Sequence, residues 1–514
     1  MCLGMFMAIL DIQIVATSLP AIQQALDIAP DRMSWIQTAY LVAEVIAIPL
    51  TGVLTRILGM RRLFVVGLGV FTLASAGCAA SQSFEVLVAW RIVQGFSGGT
   101  LIPAVFAAVF LLFPVARQSL ATMLGGVLAV LAPTLGPIVG GWVTESFAWH
   151  WLFLLNLAPG VVCVVAGLLA LPRAPLQLPH LRALDFVSLL ALATALAAFE
   201  IALKEAPTRG WGSGVVLALM LLAASSLIGF CVRTWRARDP LVDLRSFRDP
   251  NFAVGCVLGF ALGVGLFGSV YLMPVFLAFV RGHTPFEIGA IMLVTGIAQL
   301  AAAPVAVLLE KRVDARILTA CGMTVFAAGL AFSAFQTPRT DFDEMFWPQL
   351  VRGLAIMFCL LPPTRLALGS LEASRVPDAS GLFNMMRNLG GAIGLAAIDT
   401  VIYSRSDGHA ERLTARLLAG DDDAARIVGI DIAGFVANDA ALADSGFAAL
   451  FRAAVERAAL TQAINEAWAL MALVTLLAVV FLPFARPASV APETVADDNA
   501  SEATRADLRG SNDG

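Results

Sequence analysis

Three ionisable side chains stand inside long apolar stretches of the first hundred residues: Asp11, Glu44 and Arg91. A charged side chain at the centre of a membrane helix costs about 2.5–3.5 kcal/mol on insertion scales, so such residues usually have a function. A carboxyl group there can bind and release a proton, whereas an arginine stays protonated and can bias a nearby acid. We therefore predict that these three residues take part in proton coupling.

Each of the three also has a purely structural interpretation. Asp11 could be satisfied by Arg91 or by a hydroxyl group, and Glu44 could accept a hydrogen bond from Tyr40, one turn earlier. Arg91 lies near the outer end of its apolar stretch, so its side chain could extend to the membrane surface. The sequence leaves both interpretations open.

Three further charges lie close to the ends of apolar stretches. Glu200 is followed one turn later by Lys204, and we expect a surface ion pair there. Arg352 and Asp399 also lie nearer helix ends, which favours a structural role for both.

Uncharged polar side chains in the same stretches are candidates for contact with a substrate. We expect a central cavity that is broadly apolar and carries a few polar groups. The residues predicted to line it are Gln13, Tyr40, Gln94, Gln299, Asn384 and Asn388.

The elements that position these residues are predicted to be membrane-spanning helices. The chain has 514 residues, of which 59% are hydrophobic and 14% are charged, whereas soluble proteins average about 45–50% and about 25%. A helix needs roughly 20 apolar residues to cross a bilayer. Hydropathy predicts fourteen spans, near residues 2–26, 34–55, 63–81, 86–112, 119–143, 150–171, 184–204, 214–233, 252–279, 286–309, 316–335, 346–370, 379–403 and 465–485.

Basic residues orient these spans, because cytoplasmic loops of membrane proteins are enriched in Lys and Arg. With a cytoplasmic N-terminus, the short cytoplasmic loops hold fifteen basic residues and the short external loops hold five. We therefore predict that both ends of the chain are cytoplasmic. Outside the spans lie an external segment, 404–464, with helix-like apolar spacing, and a tail, 486–514, whose composition predicts disorder.

Cysteine, histidine and lysine usage argues against several other classes. The seven cysteines lie in or beside apolar stretches without a CxxC motif and the four histidines are scattered, so we expect no metal site. Neither of the two lysines follows a glycine, as the lysine of a phosphate-binding loop would. We predict no cofactor, and an energy source other than ATP.

Small residues recur every four positions in the fifth predicted span, at Ala132, Gly136 and Gly140, with Pro137 and Gly141 beside them. This spacing lets helix backbones approach closely, and proline bends a helix by removing a backbone hydrogen bond. We predict a conformational hinge formed by Gly136, Pro137, Gly140 and Gly141. Close packing alone explains the spacing equally well.

The connection between the second and third predicted spans is short, basic and flanked by glycines. Its residues Gly52, Arg56, Gly59, Arg61 and Arg62 are predicted to form a cytoplasmic gating loop. By itself the pattern also fits a positive anchor at the membrane surface.

Four segments resemble motifs of the major facilitator superfamily, in the expected order and topological places. Residues 52–62 resemble the loop pattern GxLaDrxGrrr, with Thr55 in place of its Asp, and residues 91–99 resemble RxxQGxgxa of the fourth helix. Residues 132–141 resemble the antiporter pattern GxxxGPxxGG, and residues 10–20 are similar to LDxTxVNxALP of the first helix. The resemblance covers nearly the whole chain and is strongest to the EmrB/QacA-like multidrug efflux permeases, which are 14-helix drug:proton antiporters.

The resemblance implies an all-α polytopic protein with the major facilitator fold and a 6+2+6 arrangement of helices. Residues 1–172 would form an N-terminal six-helix bundle and residues 173–249 two linker helices with cytoplasmic loops. Residues 250–485, including the external segment, would form a C-terminal six-helix bundle.

The resemblance also assigns Asp11 and Arg91 to proton coupling, and Gly136 and Pro137 to the hinge. Because Thr55 removes the usual carboxylate of the gating loop, we expect its charge relay to be altered. Only ten residues precede Asp11, so we expect either further upstream sequence or an unusually short first span.

The implied function is export of hydrophobic or amphipathic small molecules across the bacterial inner membrane in exchange for protons. Protonation of Asp11, together with Glu44, would favour the state that releases substrate outside. The implied partners are the substrate, protons, membrane lipid, a periplasmic adaptor of the EmrA type and an outer-membrane channel of the TolC type, with no nucleic acid.

Three other functions remain open. The chain could export one dedicated metabolite or siderophore. A polytopic membrane enzyme would need a His/Asp or Ser/His pair, and none of the four histidines has such company. A sensor would normally carry an added signalling domain, for which the tail is too short.

Overall fold

The computed structural model describes residues 1–28, 30–33, 35–177, 185–237, 242–372, 374–430 and 445–486, and all secondary structure in these ranges is helical. Twelve helices are long and apolar enough to cross a membrane, by length and composition. We number the long helices in chain order. They are α1 (Cys2–Ala25), α2 (Trp35–Leu58), α3 (Met60–Ala79), α4 (Phe84–Leu112), α5 (Val115–Ser146), α6 (His150–Leu154 and Leu157–Ala170), α7 (Phe186–Arg209), α8 (Gly214–Arg236), α9 (Pro250–Phe276), α10 (Pro285–Glu310), α11 (Ala315–Phe332), α12 (Phe342–Leu368), α13 (Val376–Leu418) and α14 (Ser445–Ala478).

Short helical segments lie between or extend the long ones. A π-helical turn, Leu277–Arg281, continues α9, and a 3-10 segment, Val479–Phe484, continues α14. The other short segments are Pro30–Met33, Leu244–Arg248, Ser333–Phe335 and Asp422–Val428.

Each predicted span overlaps one of the long helices, and the prediction of a polytopic all-α protein is confirmed. The predicted spans 2–26 and 379–403 lie in α1 and α13, which are not among the twelve. Asp378, Arg387 and Asp399 make α13 less apolar. The count of fourteen crossings and the orientation therefore stay predictions.

The predicted external segment 404–464 consists largely of continuations of its neighbours. Helix α13 runs on to Leu418, and α14 already begins at Ser445, well before the predicted start at 465. Leu413 and Leu417 of α13 pack against Val455 of α14 and against the short helix Asp422–Val428. This small apolar core explains why the helix-like spacing continues past the predicted span.

The first six and the last six helices pack mainly among themselves and meet at two places. Helix α5 packs along α10, and α2 and α4 pack against α13. Helices α7 and α8 pair with each other, and α7 also contacts α2 and α13. An apolar cluster that includes Leu50, Leu192 and Leu382 joins α2, α7 and α13.

Candidate functional site

A buried ion pair joins α1 to α4. The Nη1 group of Arg91 donates a hydrogen bond to Oδ2 of Asp11, and both side chains are fully enclosed. Arg91 is 0% exposed, so its side chain does not extend to the surface, and that structural alternative is wrong. The ion pair by which Asp11 could be satisfied is present. Its presence does not exclude a role in proton coupling.

Three polar side chains surround this pair. Gln94 Nε2 donates to Asp11 Oδ1 at 3.0 Å, and its Oε1 accepts from Arg91 Nη1 at 2.7 Å. Asn156, in the break between the two parts of α6, donates from Nδ2 to Asp11 Oδ1 at 2.7 Å. The Ser75 hydroxyl of α3 accepts from Gln94 Nε2 at 2.8 Å. The Asp11 carboxylate thus holds together α1, α4 and α6, with α3 joined through Gln94.

Helix α2 covers the other side of the arginine. The guanidinium carbon of Arg91 lies 4.3 Å from the ring centroid of Tyr40, and Arg91 Nε donates to the Ile36 carbonyl at 3.2 Å. The Tyr40 hydroxyl donates to the Ala8 carbonyl at 3.2 Å. The alternative in which Tyr40 hydrogen-bonds Glu44 is therefore not what the structure shows.

Glycines of α4 let that helix lie against α2. A methyl group at Gly95 would overlap the Tyr40 backbone, and one at Gly99 would meet the Glu44 backbone, its Cα at 2.9 Å. Small residues are favoured where helices approach this closely. The sequence Arg91-x-x-Gln94-Gly95 thus places two polar side chains and the close contact on one stretch of α4.

Glu44 is buried on α2, beside Gly99 of α4. The expected surface ion pair between Glu200 and Lys204 is wrong, since no such pair occurs among the described residues. Lys204 Nζ instead lies 4.5 Å from the ring centroid of Trp35, a residue of α2 that the local spacing could not reveal. Asp399 accepts a hydrogen bond from the Tyr271 hydroxyl at 2.7 Å.

The structure distributes the residues predicted to line a cavity over several places. Tyr40 and Gln94 belong to the network around Asp11. Gln13 lies against Gly136, where a methyl group would overlap its side chain. Gln299 of α10 is buried and its Nε2 donates to the Gly126 carbonyl of α5 at 3.4 Å.

The two predicted asparagines lie on α13. Asn384 is buried, donates to the Ser380 carbonyl at 2.9 Å and accepts from Arg387 Nη2 at 2.7 Å. Asn388 is half-buried one turn further on.

Helix α5 is continuous from Val115 to Ser146 through the predicted hinge. Gly136, Gly140 and Gly141 are buried, while the side chain of Pro137 lies outside what the structure describes. Gly136 is a point of close approach to α1, and Ile138 fits against Gly289 of α10. The residues of the predicted hinge therefore lie where α5 contacts both α1 of its own bundle and α10 of the last six helices.

The predicted gating loop joins α2 to α3. Gly59 separates the helices at φ 75°, a conformation that favours glycine. Arg61 donates to the Leu168 carbonyl, and Arg62 Nη1 donates to the Ala174 carbonyl at 3.0 Å. The two arginines thus hold the loop against the end of α6.

Arg56, which was predicted to belong to this loop, lies in the last turn of α2 and pairs with Asp378 at the start of α13. A methyl group at Gly52 would overlap Asp378, so the glycine makes room for this carboxylate. Thr55, at the position of the motif's usual Asp, donates its hydroxyl to the Thr51 carbonyl at 2.7 Å. The carboxylate at this loop therefore comes from the last six helices.

At one end of the two linker helices, where α7 begins and α8 ends, an ion pair ties them together. Asp185 caps α7 by accepting from the backbone N–H groups of Val187 and Ser188. Arg233 Nε of α8 donates to its Oδ2 at 2.5 Å, and this hydrogen bond holds the pKa of Asp185 well below its usual value.

Sequence reasoning missed Ser75, Asn156 and Asp378. Asn156 is a polar residue inside an apolar stretch, and Asp378 precedes a run of small residues; both signals were available. Ser75 carries no comparable signal, because buried serines in helices commonly bond to their own backbone.

The long apolar helices define a multi-pass membrane protein. The chain belongs to the Major Facilitator Superfamily, whose family model matches residues 1–395. It is similar to the colistin resistance protein EmrB of Acinetobacter baumannii, 39% identical over 404 residues that make up 78% of each chain. The multidrug export protein EmrB of Escherichia coli is 30% identical over 415 residues, 80% of this chain and 81% of that one.

A solved structure shows the same fold. The human organic anion transporter MFSD10 matches with a TM-score of 0.60 at 16% identity, covering 94% of this chain and 97% of its own. The resemblance to EmrB-like drug efflux permeases of this superfamily is therefore confirmed.

Proposed function

We propose that the protein exports hydrophobic or amphipathic small molecules across the bacterial inner membrane in exchange for protons, with Asp11 as the proton-binding group. The observation that carries this proposal is the enclosure of Asp11 with Arg91, Gln94 and Asn156. The names of the relatives, a multidrug export protein and a colistin resistance protein, support efflux as the direction of transport.

The network suggests how protonation would act. In the ionised state, the Asp11 carboxylate accepts hydrogen bonds from three side chains on two other helices. A proton on Asp11 removes the charge that neutralises Arg91 and weakens these bonds, because hydrogen bonds between ionised partners are roughly twice as strong as neutral ones. Proton binding would thereby shift the equilibrium between two arrangements of α1, α4 and α6. Glu44, on the neighbouring α2, is a second candidate for proton binding.

Alternating access would then be a rocking of residues 1–172 against residues 250–485, with 173–249 as the linker. The pair of Arg56 and Asp378 lies between these two parts on the side predicted to be cytoplasmic, and Ser380 donates to the Pro103 carbonyl beside it at 2.9 Å. These contacts would break whenever the protein opens toward the cytoplasm. Gly136, Pro137, Gly140 and Gly141 would form the hinge of α5.

For a tripartite system, the relevant surface is the helical extension beyond the predicted membrane region. Residues 404–418 of α13 and 445–464 of α14 continue outward and share a core with Asp422–Val428. We propose this extension as the contact for a periplasmic adaptor of the EmrA type, which would connect to an outer-membrane channel of the TolC type.

The test is substrate-induced proton release from purified protein in detergent, over a panel of hydrophobic drugs and acids. Wild type should release protons, and Asp11→Asn should bind the same compounds without release. Asp399→Asn is the matched control, because Asp399 is a helix carboxylate hydrogen-bonded to a tyrosine outside the network. Equal release from Asp11→Asn would move the assignment to Glu44, to be tested by Glu44→Gln, and binding without release in wild type would reject proton coupling.

A further inference from the structure

A second buried arginine, Arg352 of α12, has no acidic partner. Its side chain is 2% exposed, and it forms no ion pair within the described part of the chain. Its Nη2 group contacts the sulfur of Met273 at 3.8 Å, while Nε and Nη1 have no hydrogen-bond partner. The guanidinium carbon lies 4.7 Å from the ring centroid of Trp468. The interpretation of Arg352 as a structural residue near a helix end does not account for these free donors.

The side chains around Arg352 add further free donors. Gln349, three residues earlier and therefore adjacent on the helix surface, is 0% exposed, and its Nε2 has no partner. Its Oε1 already accepts from the Thr295 hydroxyl at 3.2 Å. The indole Nε1 of Trp468, the ring below the guanidinium, is also buried and unpartnered.

Such an arrangement is costly when nothing occupies it. A buried donor without a partner costs about 1–3 kcal/mol, and an uncompensated buried charge costs more. The unpartnered nitrogens of Arg352, Gln349 and Trp468 are all donors. A neutral acceptor could satisfy the N–H groups, but only an anion would also neutralise the charge.

We propose that Arg352, Gln349 and Trp468 form a buried binding site for one monovalent anion, either the carboxylate of an amphipathic molecule or a halide ion. A single negative charge matches the single guanidinium, and hydrogen bonds to charged partners are the strong ones. Binding at this site does not require that Asp11 couples proton movement.

A cavity next to Arg352, Gln349 and Trp468 offers an anion a route to the proposed site. It has a volume of about 290 Å³ and is lined by Met273, Met345 and Pro348 among others. Met345 and Pro348 precede Arg352 by one to two turns of α12, and Met273 is also the residue that contacts the guanidinium. Methionine is flexible and fills irregular gaps, so movement of Met273 would connect the cavity to Arg352.

The experiment is thermal unfolding of the purified full-length protein in detergent at constant ionic strength. Octanoate is compared with 1-octanol, which has the same chain without the charge, and sodium chloride is compared with sodium methanesulfonate. A ligand that binds the folded state raises the melting temperature with its concentration. A rise with octanoate alone assigns the site to carboxylates, and a rise with chloride assigns it to halides.

Arg352→Met should weaken anion binding by about tenfold or more. Arg387→Met is the matched control, because Arg387 is another buried arginine that forms no ion pair with the described residues, but its Nη2 already donates to Asn384. Wild type without an anion-dependent shift, or the same shift in Arg352→Met, would overturn the proposal. Should Arg352→Met not fold, Gln349→Leu and Trp468→Phe each remove one donor, and unchanged affinity in both would count against the site equally.

Discussion

Arg91 of α4 and Arg352 of α12 occupy similar surroundings and differ in what neutralises them. In both places an arginine and a glutamine stand three residues apart and a glycine directly follows the second of them, in the sequences Arg91-x-x-Gln94-Gly95 and Gln349-x-x-Arg352-Gly353. Each guanidinium lies over an aromatic ring, at 4.3 Å from Tyr40 and 4.7 Å from Trp468. Arg91 has the Asp11 carboxylate, and Arg352 has no carboxylate partner in the part of the chain that the structure describes.

The difference shows that one pattern of residues can support two kinds of site. Around Arg91 the protein itself supplies the negative charge, so only a proton is needed to change the balance of the network. Around Arg352 the described residues supply no negative charge, and under our proposal a bound anion supplies it. Removing the Asp11 charge should therefore lower the melting temperature, whereas removing the Arg352 charge should leave it unchanged or raise it.

The largest expected effect is that of Asp11→Ala. Truncating one partner of a buried ion pair leaves the other charge uncompensated and costs about 3–5 kcal/mol. Arg91 Nη1 would also lose one of its two acceptors and keep only Gln94 Oε1. Thermal unfolding in detergent should show a large drop in melting temperature, and the double variant Asp11→Ala/Arg91→Met should recover part of it. A double variant no more stable than Asp11→Ala would contradict the pairing.

The next effect, that of Arg352→Met, should not lower the melting temperature. In buffer without a binding anion, Arg352→Met removes an uncompensated buried charge and replaces it with an apolar side chain of similar length. Its melting temperature should equal or exceed that of wild type, although the contact with Trp468, worth about 0.5–2 kcal/mol, is lost. A drop as large as that of Asp11→Ala would mean that Arg352 is neutralised within the chain, and the contrast between the two arginines would disappear.

A smaller effect is expected for Asn156→Leu, which removes one hydrogen bond to Asp11 and leaves the ion pair in place. The loss should be about 1–3 kcal/mol, the cost of a missing hydrogen bond to a buried group. Since Asn156 donates to the Asp11 carboxylate, its loss should also reduce substrate-induced proton release if Asp11 is the proton-binding group. Unchanged proton release would restrict Asn156 to a structural role.

The helices and the two buried charges, Asp11 and Arg91, could be predicted from the sequence because both depend on strong local signals, whereas their pairing was only one of the alternatives for Asp11. Long apolar stretches predicted the helices, and charges within them predicted Asp11 and Arg91. Partners from distant helices could not be predicted in the same way. Lys204, for example, contacts the ring of Trp35, which lies 169 residues earlier in the chain, instead of pairing with Glu200.

The partner of Arg56 in the gating region likewise could not be predicted from the local sequence. Thr55 indicated that the usual carboxylate is absent, and the local sequence gave no sign that Asp378, 322 residues away, would pair with Arg56. The burial of Arg352 was not predicted, for a related reason. Its distance from the helix end suggested access to the surface, while packing of α11 and α14 around it determines its burial.

The smallest effect is expected at the exposed pair of Asp185 and Arg233, which extends the comparison to a site in water. Exposed ion pairs contribute little because solvent screens them, so Asp185→Asn should change the melting temperature far less than Asp11→Ala. The lowered pKa of Asp185 sets the pH dependence of its contribution. The contribution is fully present above the pKa of an unfolded aspartate, about 3.9, and is lost as the pH falls through the lower folded value. Melting curves of wild type and Asp185→Asn should therefore converge in acid, and a gap that widens below pH 4 would contradict the lowered pKa.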